Sequence, residues 1–262
     1  MTDIEGLLAT YDEQMRGAPP TPPAGVRYEQ DGPLLRIVGQ FRGFVIGPRD
    51  VGLRGAELDR LIRRQRDNFA ARGEAVEWKV RGHDQPTDLA DRLRAVGFVA
   101  EEQETVMIGL AREMAKEPAL PTGVRLRQVT ADADMHRIAA MESTVWGQDC
   151  SWLARDLIGR IAAAPAEIAV MVAEADGEIV SAAWLVSLTG IESAGLWGGS
   201  TLPTWQGQGI YRALVAARAQ LAATRGVEFL QADASDESAP ILRRLGFQAV
   251  TTITPYVWSP KP

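Results

Sequence analysis

The sequence contains very little cysteine and histidine. Cys150 is the single cysteine among 262 residues, so no disulfide can form within the chain. The two histidines, His83 and His136, are far apart in sequence, and neither belongs to a cluster with metal-ligand spacing. We therefore expect a reducing compartment and no metal site. We do not expect Cys150 to be a nucleophile, because no nearby histidine would activate it.

Long hydrophobic runs are missing as well. The N-terminus has neither the basic start nor the apolar stretch of a secretion signal. The most apolar region, residues 161–175, is interrupted by Pro165, Glu167 and Glu174 and is shorter than the ~20 residues needed to cross a bilayer. These features predict a soluble, cytoplasmic protein without a membrane partner.

The sequence also lacks an excess of positive charge. Before Pro118 there are 17 basic and 20 acidic residues, and after it there are 11 and 14, so each part has a net charge of −3. Nucleic acids and anionic membranes would favour a concentrated basic patch. The charge balance therefore predicts neither of them as a partner.

The composition and length are those of a two-domain protein. Nearly half of the residues are hydrophobic, which is enough for two modest cores. The segment 113–123 carries Pro118, Pro121 and Gly123 between two strand-like stretches, which is typical of an interdomain connection. We place the boundary near Pro118, with domains at 1–118 and 119–262.

The second domain alternates strand and helix patterns in the order β, α, α, β, β, β, α, β, α, β. Asp176-Gly177 is a two-residue hairpin signal between two of the strands. The strand patterns cover 124–129, 167–175, 178–188, 194–202, 227–232 and 247–258, and the helical patterns cover 132–146, 152–163, 210–225 and 238–245.

An internal repeat links the two halves. The end of a helix, a glycine and a strand follow one another at 71–80 and again at 224–231. Leu-Arg-Ala-Val-Gly-Phe at 93–98 then corresponds to Leu-Arg-Arg-Leu-Gly-Phe at 242–247. The same order of strand, helix and Gly-Phe exit indicates descent from a duplicated unit.

The most informative segment is the glycine-rich loop that leads into the helix at 210–225. A helix N-terminus presents unpaired N–H groups and a partial positive charge, which together bind phosphate oxygens. Gly207 and Gly209 permit close approach and the positive φ values that turn amides toward one anion. The loop therefore predicts a pyrophosphate site. A dinucleotide-binding loop is a poor alternative because a third glycine is missing, and a P-loop is excluded because no Gly-Lys-Ser/Thr follows.

This loop resembles the signature of the GNAT superfamily of acyl-coenzyme A dependent N-acyltransferases, Gln/Arg-x-x-Gly-x-Gly/Ala. The match begins at Gln206 and fails only at its last position, where Tyr211 stands. The resemblance extends over 124–258, including the order of the elements. It implies an α+β fold with a mixed, mostly antiparallel central sheet flanked by helices, preceded by a smaller, truncated GNAT-like copy at 1–118.

The resemblance also implies acetyl-coenzyme A as cosubstrate. The amides from Gly207 to Tyr211 would hold its pyrophosphate, and the strand around Gly199 would pair with its pantetheine arm. Ser235 stands where the family often has an asparagine that contacts the coenzyme. The coenzyme-binding residues implied are Gly199, Thr201, Gln206, Gly207, Gln208, Gly209, Ile210, Tyr211 and Ser235.

The resemblance does not supply the usual catalytic residues. Where the family often has a tyrosine acid the chain has Leu242, and its third strand lacks the common carboxylate base. Gly198-Gly199 is consistent either with a bulge that exposes oxyanion donors or with relief of crowding. We prefer Glu142 as base and Tyr256 as substitute acid, although a solvated carboxylate and a packed tyrosine are the alternatives. The candidate bases are Glu142, Asp149, Glu192 and Asp233.

The first copy is predicted not to bind coenzyme. In its loop at 45–55, Pro48 removes one amide and Asp50 adds a charge that repels phosphate.

The expected function is an N-acetyltransferase that uses acetyl-coenzyme A and the amine of a small molecule or protein. One alternative is a coenzyme-binding regulatory module without turnover, since the usual acid and base are absent. The other is a tandem enzyme with two active halves, which the first loop disfavours.

Overall fold

The computed structural model describes residues 3–18, 22, 25–188 and 190–260, which divide into two compact units. The division differs from the two predicted domains, because the C-terminal strand belongs with the N-terminal residues. The first unit comprises Met1–Met107, Asp233–Pro240 and Ala249–Pro262, and the second comprises Ile108–Ala232 and Ile241–Gln248.

Eight α-helices and twelve strands are formed in the described part of the chain, and none of these helices has the length and apolarity needed to span a bilayer. A π-helical turn follows α1 at Tyr11–Met15, and a 3-10 turn precedes α7 at Pro203–Trp205. The helices are α1 Ile4–Thr10, α2 Gly55–Ala70, α3 Leu89–Ala95, α4 Ala111–Met114, α5 Asp132–Trp146, α6 Ser151–Ala163, α7 Ile210–Thr224 and α8 Ala239–Leu245. The strands are β1 Arg27–Asp31, β2 Leu34–Val38, β3 Gly43–Ile46, β4 Val76–Arg81, β5 Val99–Ala100, β6 Glu104–Leu110, β7 Val124–Val129, β8 Ile168–Ala175, β9 Glu178–Ser187, β10 Ser193–Thr201, β11 Phe229–Ala234 and β12 Gln248–Trp258.

In the second unit the strands follow the order β11-β10-β9-β8-β7. Every pair is antiparallel except β10 with β11. The β8–β9 hairpin turns at Asp176 and Gly177, with φ of 51° and 81°, which is the turn that Asp-Gly favours. This mostly antiparallel sheet with flanking helices confirms the predicted fold class and the order of elements through α8.

Helices cover both faces of this sheet. Alternate residues of β8 point to opposite faces, so Val170 and Val172 pack with α5 and α6, while Ala173 packs with α7. Leu157 and Leu214 are the fully buried contributions of α6 and α7 to these two layers. The apolar periodicity seen in the sequence is therefore explained by one packing face for each helix.

The first unit repeats part of this arrangement. Its strands follow the order β1-β2-β3-β4-β12, with β5 also paired to β12. β3 and β4 are parallel over three residues and are joined by α2, just as β10 and β11 are parallel over three residues and are joined by α7. This confirms the predicted repeat, and the final strand predicted at 247–258 forms as β12 beside β4.

Leu93 provides a test of the first core. It is fully buried on α3 among Leu58, Ile62 and Trp78. Leu93→Ala should lower the free energy of unfolding by about 2–5 kcal/mol in chemical denaturation, because it removes buried methyl groups and leaves a cavity. Val99 on β5 is 68% exposed, so Val99→Ala should change stability by less than about 0.5 kcal/mol. Equal losses in the two variants would contradict the assigned core.

Candidate active site

The loop between β10 and α7 presents a row of unpaired backbone donors. Gly207 and Gly209 have φ of 74° and 89°, a region that other residues rarely adopt. The N–H groups from Gly207 to Tyr211 have no acceptor among the described residues. Since Gly209 is the N-cap of α7, these donors lie at the positive end of the helix dipole. The arrangement suits a phosphate or pyrophosphate group.

Side chains of the same loop brace its backbone. Gln206 Nε2 donates to the carbonyl of Thr201 at 3.1 Å, and Gln208 Nε2 donates to the carbonyl of Thr204 at 3.1 Å. Ile210 is buried and anchors the first turn of α7 in the core. These three predicted site residues hold the donors in place with their side chains.

Arg212 adds positive charge beside the loop, which the sequence analysis did not single out. A Cβ atom built on Gly209 would lie 3.2 Å from Arg212 Nη2, so the guanidinium directly adjoins the glycine. A cavity of about 150 Å³ is lined by Gly209, Arg212, Ala213, Met114 and Leu245, among others. In the sequence, a basic residue in the first turn of the helix that follows the glycine loop could have indicated this positive charge.

β10 separates from β11 before it reaches this loop. The two strands pair only at Ser193–Gly195, whereas β10 continues to Thr201. The later part of β10 therefore has an edge toward β11 that no strand in the described part of the chain pairs with, and an extended amide chain fits such an edge. Thr201 itself is buried, with its hydroxyl 2.9 Å from that of Ser181. This is the stretch predicted to pair with the pantetheine arm.

Gly198 and Gly199 form a bulge in β10. The register with β9 shifts between Gly198 and Ser200, and the two glycines have φ of 68° and 94°. A Cβ atom on Gly198 would lie 2.6 Å from the Trp184 ring, and one on Gly199 would lie 2.7 Å from the Tyr211 ring. The bulge therefore forms and the space beside both glycines is crowded, while the exposure of oxyanion donors stays a prediction.

Tyr211 packs against this bulge. Its ring is close enough to Gly199 that only a glycine fits there, and burial raises the pKa of its hydroxyl. The ring is thus accommodated at the bulge, while the backbone N–H of Tyr211 remains at the start of α7. The substitution in the signature therefore preserves the donor.

Glu142 is a buried carboxylate on α5, with 3% of its surface exposed. Its Oε2 accepts a hydrogen bond from Trp146 Nε1 at 2.7 Å, and the Ser200 side chain also bonds to the carboxylate. Its Oε1 is buried and has no hydrogen-bond partner among the described residues. Burial raises the pKa of Glu142, an effect that these hydrogen bonds partly oppose. A buried carboxyl with a free oxygen is suited to accept a proton.

The bulge determines which residues of β10 point to the same face of the sheet. Trp197 pairs with Trp184, and Ser200 pairs with Ala182, so both belong to the face that carries Trp184 and Ala182. In a regular strand, residues 197 and 200 would point to opposite faces. The extra residue therefore brings an exposed indole and the serine that bonds Glu142 onto one side of the sheet.

The other candidate bases have different surroundings. Asp149 is exposed and accepts from the backbone N–H of Ser151 at 2.9 Å. Asp233 accepts from Lys79 Nζ at 3.1 Å, and Glu192 is exposed. None of these three combines the burial and the free oxygen found at Glu142.

Tyr256, the predicted acid, lies in the first unit. It is buried in the core around α3, and its hydroxyl accepts from Arg94 Nη2 at 2.8 Å. Burial and this hydrogen bond are what the packing alternative expects, and the acid role of Tyr256 stays an untested prediction. Leu242 is fully buried. Ser235 precedes α8, where its hydroxyl accepts from the N–H of Ser238 at 3.3 Å.

The corresponding loop of the first unit is closed by its own residues. The carboxylate of Asp50 accepts from the N–H of Gly52 at 2.8 Å, so this amide is already occupied. Gln85 forms hydrogen bonds with Arg49 and Val51, which join the loop to the end of β4. Arg16 donates to the carbonyl of Gly47 at 2.9 Å. These contacts support the prediction that the first copy does not bind coenzyme.

Comparisons with known proteins agree with this geometry. Residues 133–247 match the model of the acetyltransferase (GNAT) family. A GCN5-related N-acetyltransferase from Kribbella flavida is 19% identical, with 91% of each chain covered and a TM-score of 0.66. A tandem GNAT protein from the clavulanic acid biosynthesis pathway is 15% identical, with 98% of this chain and 96% of that chain covered and a TM-score of 0.63. A GCN5-related N-acetyltransferase from Sphaerobacter thermophilus is 17% identical, with coverages of 89% and 82% and a TM-score of 0.62.

A comparison with curated protein sequences finds no match. The structural likenesses, at under 20% identity, establish the fold over most of the chain, including an arrangement that a tandem GNAT protein shares. The family match covers the bulged strand, the glycine loop and α7. The second half of the chain therefore carries a domain of the GNAT acetyltransferase family.

Proposed function

We propose that this domain transfers an acetyl group from acetyl-coenzyme A to the amine of a small molecule or protein. The observation that carries the proposal is Glu142, a buried carboxylate whose Oε2 accepts from Trp146 and whose Oε1 has no hydrogen-bond partner among the described residues. A proton acceptor at this place is what amine acylation requires, since a protonated amine cannot attack a carbonyl carbon.

The residues present fit the coenzyme at two places. The unpaired amides from Gly207 to Tyr211 and the guanidinium of Arg212 suit its pyrophosphate. The unpaired edge of β10, ending at Thr201, suits the amides of its pantetheine arm. When bound, the coenzyme supplies the thioester. We propose no metal in the reaction.

In the proposed reaction, the amine nitrogen forms a bond to the acyl carbon as the carbon–sulfur bond breaks. The nitrogen loses a proton to the carboxylate of Glu142. Leu242 has no ionisable group, so the departing sulfur takes its proton from water. Backbone N–H groups at the bulge would stabilise the negative charge that develops on the acyl oxygen.

The surroundings of Glu142 indicate the kind of acceptor. Trp146, which donates to Glu142, is 62% exposed, and Trp197 is 44% exposed on the face of β10 that carries Ser200. Indole rings bind apolar groups and attract cations to their faces. We propose an amine attached to an apolar group as the acceptor.

A coenzyme-binding module without turnover is the second candidate. Its support is the buried leucine at position 242 and the absence of a carboxylate at Trp197 and Gly198. The two functions differ in the release of free thiol from acetyl-coenzyme A in the presence of a panel of amines. An enzyme gives acceptor-dependent thiol, whereas a binding module saturates with coenzyme and gives none.

Substitution of Glu142 tests the assigned base. Glu142→Gln should lower turnover by roughly a hundredfold or more, because the amide cannot accept the proton from the amine. Coenzyme affinity, measured by calorimetry, should stay within a few fold. In the wild type, the rate should rise as the pH rises through the pKa of Glu142, which burial places above the usual carboxyl range. This rise of the rate with pH should be absent from the Glu142→Gln variant.

Asp149 provides the control for this substitution. It is an exposed carboxylate that accepts a hydrogen bond from Ser151. Asp149→Asn should leave turnover within a few fold and should keep the rise of the rate with pH. Full activity of the Glu142 variant would remove Glu142 from the mechanism.

Substitution of Gly209 tests the coenzyme site. Glutamate at this position places a side chain and a negative charge where the pyrophosphate should lie, so Gly209→Glu should weaken acetyl-coenzyme A binding by at least about a hundredfold. Gly52 is the matched control, since its φ of 72° imposes a similar backbone strain in the first unit. Calorimetry should find unchanged affinity for Gly52→Glu, and loss of binding in that variant alone would overturn the assignment.

A further inference from the structure

Arg218 is a buried cation in the middle of α7. Only 1% of its surface is exposed, and no carboxylate within the described ranges forms an ion pair with it. Burying a charge without a counterion is costly, and an apolar side chain of similar volume would normally be at least as stable. Burial lowers the pKa of Arg218 to about 10, so the group remains charged at neutral pH. Packing alone does not explain an arginine at this position.

The guanidinium is directed at the strand pair that precedes the bulge. Nη1 donates to the carbonyl of Trp197 at 3.1 Å and to that of Trp184 at 3.3 Å. Nε donates to the carbonyl of Leu214, one helical turn earlier, which fixes the orientation of the side chain. The positive charge is therefore applied to the peptide group between Trp197 and Gly198.

A cation that donates a hydrogen bond to a carbonyl oxygen polarises the whole peptide group to which that carbonyl belongs. The N–H at the other end of that peptide becomes a stronger donor, as in any chain of coupled hydrogen bonds. Here that N–H belongs to Gly198, the first glycine of the bulge. A fixed cation in a buried, low-dielectric place also stabilises nearby negative charge more than it would in water.

We propose that Arg218 is a positioning residue that strengthens the oxyanion donors of the bulge through the Trp197–Gly198 peptide. The proposal rests on the acetyl transfer proposed above. Arg218 thus acts on the reacting atoms without touching them.

The carbonyl stretch of bound acetyl-coenzyme A, labelled with carbon-13 at the acyl carbon, tests the proposal by isotope-edited infrared spectroscopy. In the wild type the stretch should lie at a lower frequency than in solution, because strong donors weaken the carbonyl bond. Arg218→Met keeps the volume but removes the charge, and it should lose most of this shift. Arg218→Lys keeps a charge and should retain part of it. Turnover of the methionine variant should fall by about 100–1,000-fold.

The control is Arg225→Met, which removes another arginine donor to β9, the hydrogen bond to Ser187 at 2.8 Å. It should keep the wild-type frequency. A wild-type stretch that is not lowered, or a full shift in Arg218→Met, would overturn the role of Arg218. If the methionine variant does not fold, Arg218→Lys and the wild type still test the proposal, because a full shift in the lysine variant or no shift in the wild type would contradict it. Failure of the wild type to bind acetyl-coenzyme A at all would instead refute the proposed function.

Discussion

The bulge at Gly198 and Gly199 is the constraint on which the rest of the site depends. One extra residue in β10 changes the side-chain alternation, so Trp197 and Ser200 share a face that a regular strand would divide between them. The rings of Trp184 and Tyr211 occupy the space beside the glycines, so neither position tolerates a Cβ atom. Glycine at these two positions therefore permits both the course of the strand and its contacts with the two aromatic rings.

The two faces of the bulged strand have opposite electrostatic character. On one face, the buried carboxylate of Glu142 has a raised pKa and one free oxygen, which suits proton removal from an amine. From α7, the buried guanidinium of Arg218 donates to strand carbonyls and has no carboxylate counterion among the described residues. We propose that a negative charge developing at the bulge is stabilised through the peptide group to which Arg218 donates. This arrangement favours acyl transfer.

The sequence predicts features that depend on neighbouring residues better than those that depend on distant pairing. The Asp176-Gly177 hairpin, the apolar faces of the helices and the glycine loop follow from local periodicity and turn preferences, and the structure confirms them. The membership of β12 in the first unit depends on which strand it pairs with, which no local pattern specifies. Arg218 was missed because an arginine within a helix pattern normally indicates a solvated position.

The corresponding loop of the first unit differs from the glycine loop in its hydrogen bonds, and we propose that it binds no coenzyme. In that loop, the carboxylate of Asp50 accepts from the N–H of Gly52. The backbone of Gln85 forms hydrogen bonds with Arg49 and Val51. We therefore propose one coenzyme site for each chain, formed by the loop of the second unit. Calorimetric titration of the wild-type protein with acetyl-coenzyme A tests this claim most directly. We predict a stoichiometry of one molecule per chain, and a stoichiometry of two, or no binding, would contradict the account.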